Sequence, residues 1–152
     1  MIHKNIRAAT AMVALMLMPI SASALDYMSV AESKAVLYDA PASTAKKVFL
    51  LSRYSPVEVV VNLGDWLKVR DAQGSINWIE KKHLSTKRTV QISAKTAEIR
   101  QAADAASALV ASLEKDVALD LLDAKLNNGW LKVKHRDGIT GYILISSAWG
   151  AN

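Results

Sequence analysis

Two short segments of the chain place an indole ring beside basic side chains at alternating positions. Trp66, Lys68 and Arg70 form the first set, and the same pattern returns 64 residues later. Its members there are Trp130, Lys132 and Lys134. Alternate side chains of an extended strand share one face, so each set would line one surface. An indole beside two cations can stack on a sugar ring and attract an anionic group. We therefore take these six residues as candidate ligand-binding residues.

The histidines and aspartates that could bind a metal or act in catalysis do not have the spacing that such sites need. His83 and His135 lie beside basic residues, which oppose metal binding, and neither belongs to a His-Glu-x-x-His pattern. Asp71 and Asp137 occupy equivalent segments where Asp is a common turn former. The sequence contains no cysteine, so it has no thiolate ligand and no Cys-His nucleophile. We predict a protein that is not an enzyme and has no metal site and no cofactor.

The similarity between the two tryptophan segments extends into a longer duplicated block. Trp66-Leu67-Lys68-Val69, Gly74 and Trp78-Ile79 correspond to Trp130-Leu131-Lys132-Val133, Gly138 and Tyr142-Ile143. Self-similarity at a fixed period indicates two copies of one unit. Short extended runs separated by turn residues predict a small all-β barrel for each copy. The predicted strands are 34–39, 46–51, 57–62, 66–70 and 75–79 in copy one, and 97–100, 108–113, 117–122, 130–134 and 139–143 in copy two.

For one segment of copy two, local propensity and the repeat predict different structures. Residues 101–115 are rich in Ala, Leu and Glu, which favour a helix. Because their counterpart, residues 39–54, contains Pro41, we predict loop and strand instead. Aligning Val117 with Val57 predicts a first long loop two residues shorter in copy two, and a loop before the Trp strand four residues longer.

A structural role for the two strand tryptophans is an alternative to ligand binding. Leu67 and Val69 alternate with Trp66 and are predicted to face the core, as are their counterparts in copy two. Trp is highly buried on average, so Trp66 and Trp130 could instead cover a barrel end or the contact between the two domains. The sequence leaves both interpretations open.

The first 24 residues have the features of an export signal. Lys4 and Arg7 precede an apolar run over residues 8–18, and a small-residue cleavage motif ends at Ala24, before Leu25. A membrane span needs about 20 apolar residues, so we expect cleavage and no transmembrane segment in the mature chain. With no cysteine available for a lipid anchor at the cleavage site, we predict a soluble periplasmic protein.

Charge and length bound what the mature chain can do. Without Lys4 and Arg7, 17 basic and 14 acidic side chains leave a net charge of +3, too mild to indicate nucleic-acid binding. It permits weak attraction to anionic envelope polymers, and we interpret the basic runs at 81–82, 87–88 and 132–136 as solvated edges. We predict two domains, 25–86 and 87–152. Units of this size bury only about 60% of their unfolded surface, so we expect them to pack as a pair.

The Trp-Leu-Lys-Val strand, the turn ending in Gly and the following Trp/Tyr-Ile strand resemble bacterial SH3 domains. Val36-Leu37-Tyr38-Asp39 is similar to the aromatic-acidic start of such a domain, although Arg100 takes the aromatic position in copy two. The closing Trp149-Gly150 fits exported tandem members of the family. The resemblance covers essentially the whole mature chain and implies two tandem SH3-like β-barrels in an envelope protein.

The resemblance also implies a function. Related modules attached to wall hydrolases bind peptidoglycan, so we expect a non-catalytic envelope module that contacts a cell-wall polymer or an envelope protein. An accessory or regulatory subunit of a wall hydrolase is the alternative. Polyproline recognition is not expected, because residues 80–83 and 144–147 lack the proline and tyrosine that line such a groove.

Overall fold

The computed structural model describes residues 26–151. The predicted signal peptide and the cleavage between Ala24 and Leu25 lie outside the described residues, so the periplasmic location stays a prediction. Within residues 26–151, no helix is long and apolar enough to cross a membrane.

Each sequence copy forms its own antiparallel seven-stranded sheet. Copy one contains β1 (Asp26–Val30), β2 (Lys34–Tyr38), β3 (Lys47–Ser52), β4 (Pro56–Asn62), β5 (Trp66–Arg70), β6 (Ile76–Glu80) and β7 (Leu84–Ser85), in the sheet order β3-β2-β6-β5-β4-β1-β7. A 3-10 turn, Lys81–His83, precedes β7.

Copy two repeats this topology strand for strand. It contains β8 (Thr89–Ile92), β9 (Thr96–Arg100), β10 (Leu109–Glu114), β11 (Ala118–Asn127), β12 (Trp130–Lys134), β13 (Thr140–Leu144) and β14 (Ala148–Trp149), in the order β10-β9-β13-β12-β11-β8-β14. The 3-10 turn before its last strand is Ile145–Ser147. The predicted all-β class with two tandem SH3-like domains is confirmed.

Alternation along the Trp strands builds the two cores. Leu67 and Val69 are fully buried, and so are Leu131 and Val133, as the period of two predicts. Each pair joins a separate apolar cluster inside its own copy. Full burial of one such side chain contributes about 1.5–3 kcal/mol.

Residues 101–115 form turns and a strand, β10, so the prediction made from the repeat is confirmed. The Asp104 carboxylate accepts the N–H of Ala106 at 2.9 Å, and the Ser107 hydroxyl donates to the carbonyl of Asp104 at 2.7 Å. Side chains that bond to nearby backbone in this way compete with helix formation. In β10, Ala111 and Leu113 pack against the core, which fixes the strand.

The predicted difference in loop lengths is wrong. Val57 pairs with Met28 of β1, and Leu119 pairs with Val90 at the same register in copy two. Leu119, rather than Val117, is therefore the counterpart of Val57, and the first long loop has the same length in both copies. The insertion before Trp130 is two residues rather than four, and it extends β11 instead of lengthening a loop. A valine-to-valine alignment missed this because the buried position accepts either side chain.

Copy two packs on copy one through its last residues. The Arg88 guanidinium donates from Nη2 to the Gly150 carbonyl at 2.9 Å and lies 5.1 Å from the centre of the Tyr27 ring. Tyr27 in turn packs on Trp149, with ring planes at 76° and ring centroids 5.6 Å apart. A Cβ on Gly150 would lie 3.0 Å from the Cβ of Pro56, so the backbones approach closely here.

Two hydroxyl groups add hydrogen bonds around the connection between the copies. Ser29 donates to the carbonyl of Lys87 at 2.8 Å, and Thr89 donates to the carbonyl of Tyr54 at 2.7 Å. Ser29 and Thr89 are both buried. Since a buried polar group without a partner is unfavourable, these bonds depend on the copies remaining packed together.

We expect the mature chain to unfold in one cooperative calorimetric transition, because each copy is small and the linker between the copies is short. Arg88→Ala removes the contact of its guanidinium with the Tyr27 ring of copy one and should broaden or split that transition. Arg100→Ala is the matched control, since the guanidinium of Arg100 bonds to residues of its own copy. Two well-separated transitions in the unaltered chain would show that the copies fold independently.

Candidate binding surface

The six candidate residues occupy the outward positions of β5 and β12, but the two sets differ in exposure. Trp66, Lys68 and Arg70 are all half-buried. In copy two, Trp130 is only 8% exposed, whereas Lys132 and Lys134 are exposed. The pattern that appears duplicated in sequence therefore gives two different surfaces.

In copy one, the outward tryptophan belongs to a cluster of three aromatic rings. The rings of Tyr38 and Trp66 are nearly perpendicular, with an interplanar angle of 84° and centroids 5.3 Å apart. The Nζ of Lys68 lies 5.7 Å from the centre of the Trp78 ring, which is the arrangement of a cation–π contact. We call Tyr38, Trp66, Lys68 and Trp78 the aromatic face.

Strand register brings the aromatic face together. Trp78 of β6 lies opposite Lys68 of β5 and also opposite Tyr38 of β2. Side chains on directly opposed residues of neighbouring strands come within contact distance. Tyr38 and Trp78 were not among the candidate residues predicted from the sequence. The alternation of Trp78 with the buried Ile79 could have indicated Trp78, since Trp66 alternates with Leu67 in the same way.

Charged groups of both signs border the aromatic face. Glu80, which lies opposite Trp66, pairs with the Nζ of Lys82 at 2.6 Å and lies 3.8 Å from the Nε2 of His83. The hydrogen bond from Lys82 to Glu80 raises the pKa of the lysine. The rim can therefore accept hydrogen bonds from a polar ligand and donate hydrogen bonds to it.

Arg70 lies at the opposite end of β5 and has a different environment. Its Nη1 donates to the Glu58 carboxylate at 2.9 Å, and Glu58 is only 4% exposed. Burial, and then the charge of Glu58, raise the pKa of the adjacent Tyr27. Arg70 therefore neutralises the buried carboxylate of Glu58. This ion pair explains why a basic residue lies here, and no bound ligand is needed to explain it.

Copy two lacks the perpendicular aromatic pair. Arg100 replaces Tyr38, donates to the Ser107 carbonyl at 3.0 Å and forms an ion pair with Glu98. Tyr142, opposite both Arg100 and Lys132, takes the place of Trp78. Trp130 is buried, so the covering role considered as the alternative fits this tryptophan.

The remaining titratable candidates are engaged in turns. The Asp71 carboxylate accepts the N–H groups of Gln73 at 3.0 Å and Ser75 at 2.9 Å, as expected of a turn former. His135 Nδ1 lies 3.2 Å from an oxygen of Asp137 in the equivalent turn. Over residues 26–151, no group of three His, Cys, Asp or Glu side chains could hold a metal ion.

Two small antiparallel units, each with a 3-10 turn before its last strand, define a tandem SH3-like protein. A sequence profile described as bacterial SH3 domain matches residues 31–86 and again residues 93–150. The chain therefore belongs to the bacterial SH3 domain family, as the repeated motifs indicated.

Solved structures that the chain matches include two from Trichomonas vaginalis and one from Bacillus cereus. NlpC2 of T. vaginalis is 16% identical with a TM-score of 0.37, and the match covers 84% of this chain and 49% of that one. NlpC1 of T. vaginalis is 17% identical with a TM-score of 0.38, and the match covers 85% of this chain and 47% of that one. An NlpC/P60 family protein of B. cereus is 16% identical with a TM-score of 0.38, and the match covers 80% of this chain and 55% of that one. The chain spans about half the length of each. No curated protein matches the sequence.

Proposed function

We propose that the chain is a non-catalytic binding module of the cell envelope, and that its aromatic face contacts peptidoglycan. The observation that carries the proposal is that half-buried Trp66, packed on buried Tyr38, lies on the same face as half-buried Trp78, whose ring contacts the ammonium of Lys68. Membership of the bacterial SH3 domain family supports it.

The chemistry of the aromatic face suits this polymer. Trp66 and Trp78 are half-buried, so each ring has one part fixed by packing and another part accessible to a ligand. Indole rings offer large, rigid stacking area at low entropic cost, which suits sugar rings. Lys68 adds an ammonium that can bond to the carboxylates of the peptide stems. The face offers no nucleophile paired with a general base, so we propose binding without catalysis.

Trp78→Ala should weaken capture by purified insoluble peptidoglycan. Loss of a central aromatic anchor typically costs about 2 kcal/mol of affinity or more, which corresponds to roughly thirtyfold. Lys68→Gln should weaken capture less and should reduce its dependence on salt, because part of the attraction is screened charge. Sedimentation with peptidoglycan over a range of protein concentrations measures both effects.

Tyr142→Ala provides the matched control, because Tyr142 has the same position in copy two without the perpendicular aromatic pair beside it. Its capture should equal that of the unaltered chain, and thermal melting should show that each variant is folded. Equal loss in the Tyr142 and Trp78 variants would rule out a face specific to copy one. Absence of capture by the unaltered chain would overturn peptidoglycan as the ligand, and crosslinking in the envelope would then search for a protein partner.

A further inference from the structure

A second surface lies where the two copies meet, away from the aromatic face. Two adjacent cavities, of about 300 and 200 Å³, lie between the turn before β4 and the β12–β13 turn. They share four lining residues, namely Tyr54, Ala118, His135 and Arg136. We call the two cavities together the inter-copy groove.

Equivalent turns of the two copies supply opposite parts of this groove. Tyr54 and Asp116 both have left-handed backbone, with φ values of 69° and 70°. Their N–H groups donate to Val30 and Ile92 respectively, both at 2.9 Å. The residues just before them, Arg53 and Lys115, therefore reach the groove from corresponding positions, one in each copy. The groove exists because the fold is duplicated and the copies pack together.

The groove gathers more positive charge than its own carboxylates neutralise. Its basic residues are Arg53, Lys87, Lys115, Lys134 and Arg136, and all of them are exposed. Its acidic residues are Asp116 and Asp120.

The two carboxylates are already engaged. Asp120 pairs with Lys87 at 2.9 Å, and Asp116 accepts a hydrogen bond from the Gln91 amide at 3.1 Å. Within the described part of the chain, the four remaining cations make no ion pair closer than 4.0 Å. Like charges gathered beside a cleft raise the local concentration of anions.

Tyr54 holds two of the groove's cations in place. The Arg53 guanidinium lies 5.1 Å from the centre of the Tyr54 ring, and the Lys87 ammonium lies 5.2 Å from it. Both distances are within the range of cation–π attraction. The aromatic ring thus holds positive charge at the wall of the groove, so less side-chain entropy is lost when an anion binds.

We propose that the inter-copy groove binds a ligand carrying two or more phosphate groups. Two guanidinium groups offer paired N–H donors that match phosphate oxygens, and two lysines add charge. Cavities of this size admit small groups rather than the surface of a folded protein. Phosphate places more negative charge in such a volume than a carboxylate does. The inference does not rest on the aromatic face, because the two surfaces share no residue.

Calorimetric titration of the full mature chain with tripolyphosphate at low salt tests this proposal. We expect saturable binding that weakens as salt is added, and an affinity at least tenfold lower for inorganic phosphate. Arg53→Gln and Arg136→Gln, one from each copy, should each weaken tripolyphosphate binding about tenfold. Lys125→Gln removes an exposed lysine outside the groove and should leave binding unchanged.

Several outcomes would overturn the proposal. They are no binding of tripolyphosphate, equal binding of citrate, or an effect of Lys125→Gln as large as that of Arg53→Gln. Vesicles containing phosphatidylglycerol identify the source of the phosphate, since capture of the chain by vesicles would indicate lipid headgroups rather than a soluble polymer. Trp78→Ala should retain tripolyphosphate binding, and Arg53→Gln should retain peptidoglycan capture. Failure of one proposal is thereby distinguishable from failure of the other.

Discussion

Trp130→Ala is expected to lower the free energy of unfolding by about 3–5 kcal/mol, the range for removing a large buried aromatic side chain. Trp130 is 8% exposed and begins β12, the strand that also carries the core residues Leu131 and Val133. Truncation would leave a cavity beside the strand that the surrounding backbone cannot fill. Denaturant titration of the mature chain measures the loss.

Trp66→Ala is the matched comparison, because it removes the same side chain from the same position in copy one. Trp66 is half-buried rather than buried, so its truncation should destabilise the protein clearly less. Equal losses in the two variants would show that both tryptophans serve packing and that the aromatic face is not specialised. Peptidoglycan capture should fall in the Trp66 variant, whereas it should persist in Trp130→Ala under conditions where that variant is folded.

Gly141→Ala is expected to destabilise the protein by about 3 kcal/mol or more, at or above the upper end of the usual range for overpacking. A Cβ at Gly141 would lie 2.5 Å from the carbonyl oxygen of Arg100 and 2.5 Å from Cγ2 of Ile99. Strands β13 and β9 pair at the next residue, Tyr142 with Arg100, so backbone would have to move. Denaturant midpoints and slopes measure the effect.

Gly138→Ala separates steric contact from backbone strain. Gly138 has a φ of 89°, but a Cβ there would meet nothing within 4 Å. It should therefore lose only about 1–2 kcal/mol, the usual penalty for a left-handed L-residue. If Gly141→Ala lowered the free energy of unfolding as little as Gly138→Ala, the close approach of β9 and β13 would be contradicted.

Period-two alternation explains why some strands were predictable from sequence. The predicted bounds of the Trp strands, 66–70 and 130–134, agree with β5 and β12 because each has one core face and one outer face. Strands β1 and β8 were not assigned. In β8, polar Thr89 and Gln91 alternate with the core residues Val90 and Ile92, but the strand has only four residues, the shortest run in which alternation indicates a strand.

The candidate sites needed information that one strand does not contain. Trp78 joins the aromatic face through pairing across β5 and β6, and Tyr38 joins it from β2. Trp130 is buried whereas Trp66, at the same position in copy one, is half-buried, and Arg100 replaces the tyrosine that contacts Trp66. Local pattern alone predicted equivalent surfaces, whereas pairing and burial made them unequal.

The inter-copy groove was not predictable, because it depends on how the copies pack. The basic run 132–136 was interpreted as a solvated edge, yet Lys134 and Arg136 line the groove together with Tyr54 of copy one. Their side chains are exposed, as that interpretation required, but they face residues of copy one. The sequence of copy two alone does not show that residues of copy one lie beside this basic run.

Titration of the ¹⁵N-labelled mature chain with soluble peptidoglycan fragments tests the central claim most directly. The sequence has four tryptophans, and each indole N–H gives its own signal. We expect the signals of Trp66 and Trp78 to move together and saturably, while those of Trp130 and Trp149 stay in place. Movement of the Trp130 signal without those of Trp66 and Trp78, or no movement at all, would contradict a binding face on copy one.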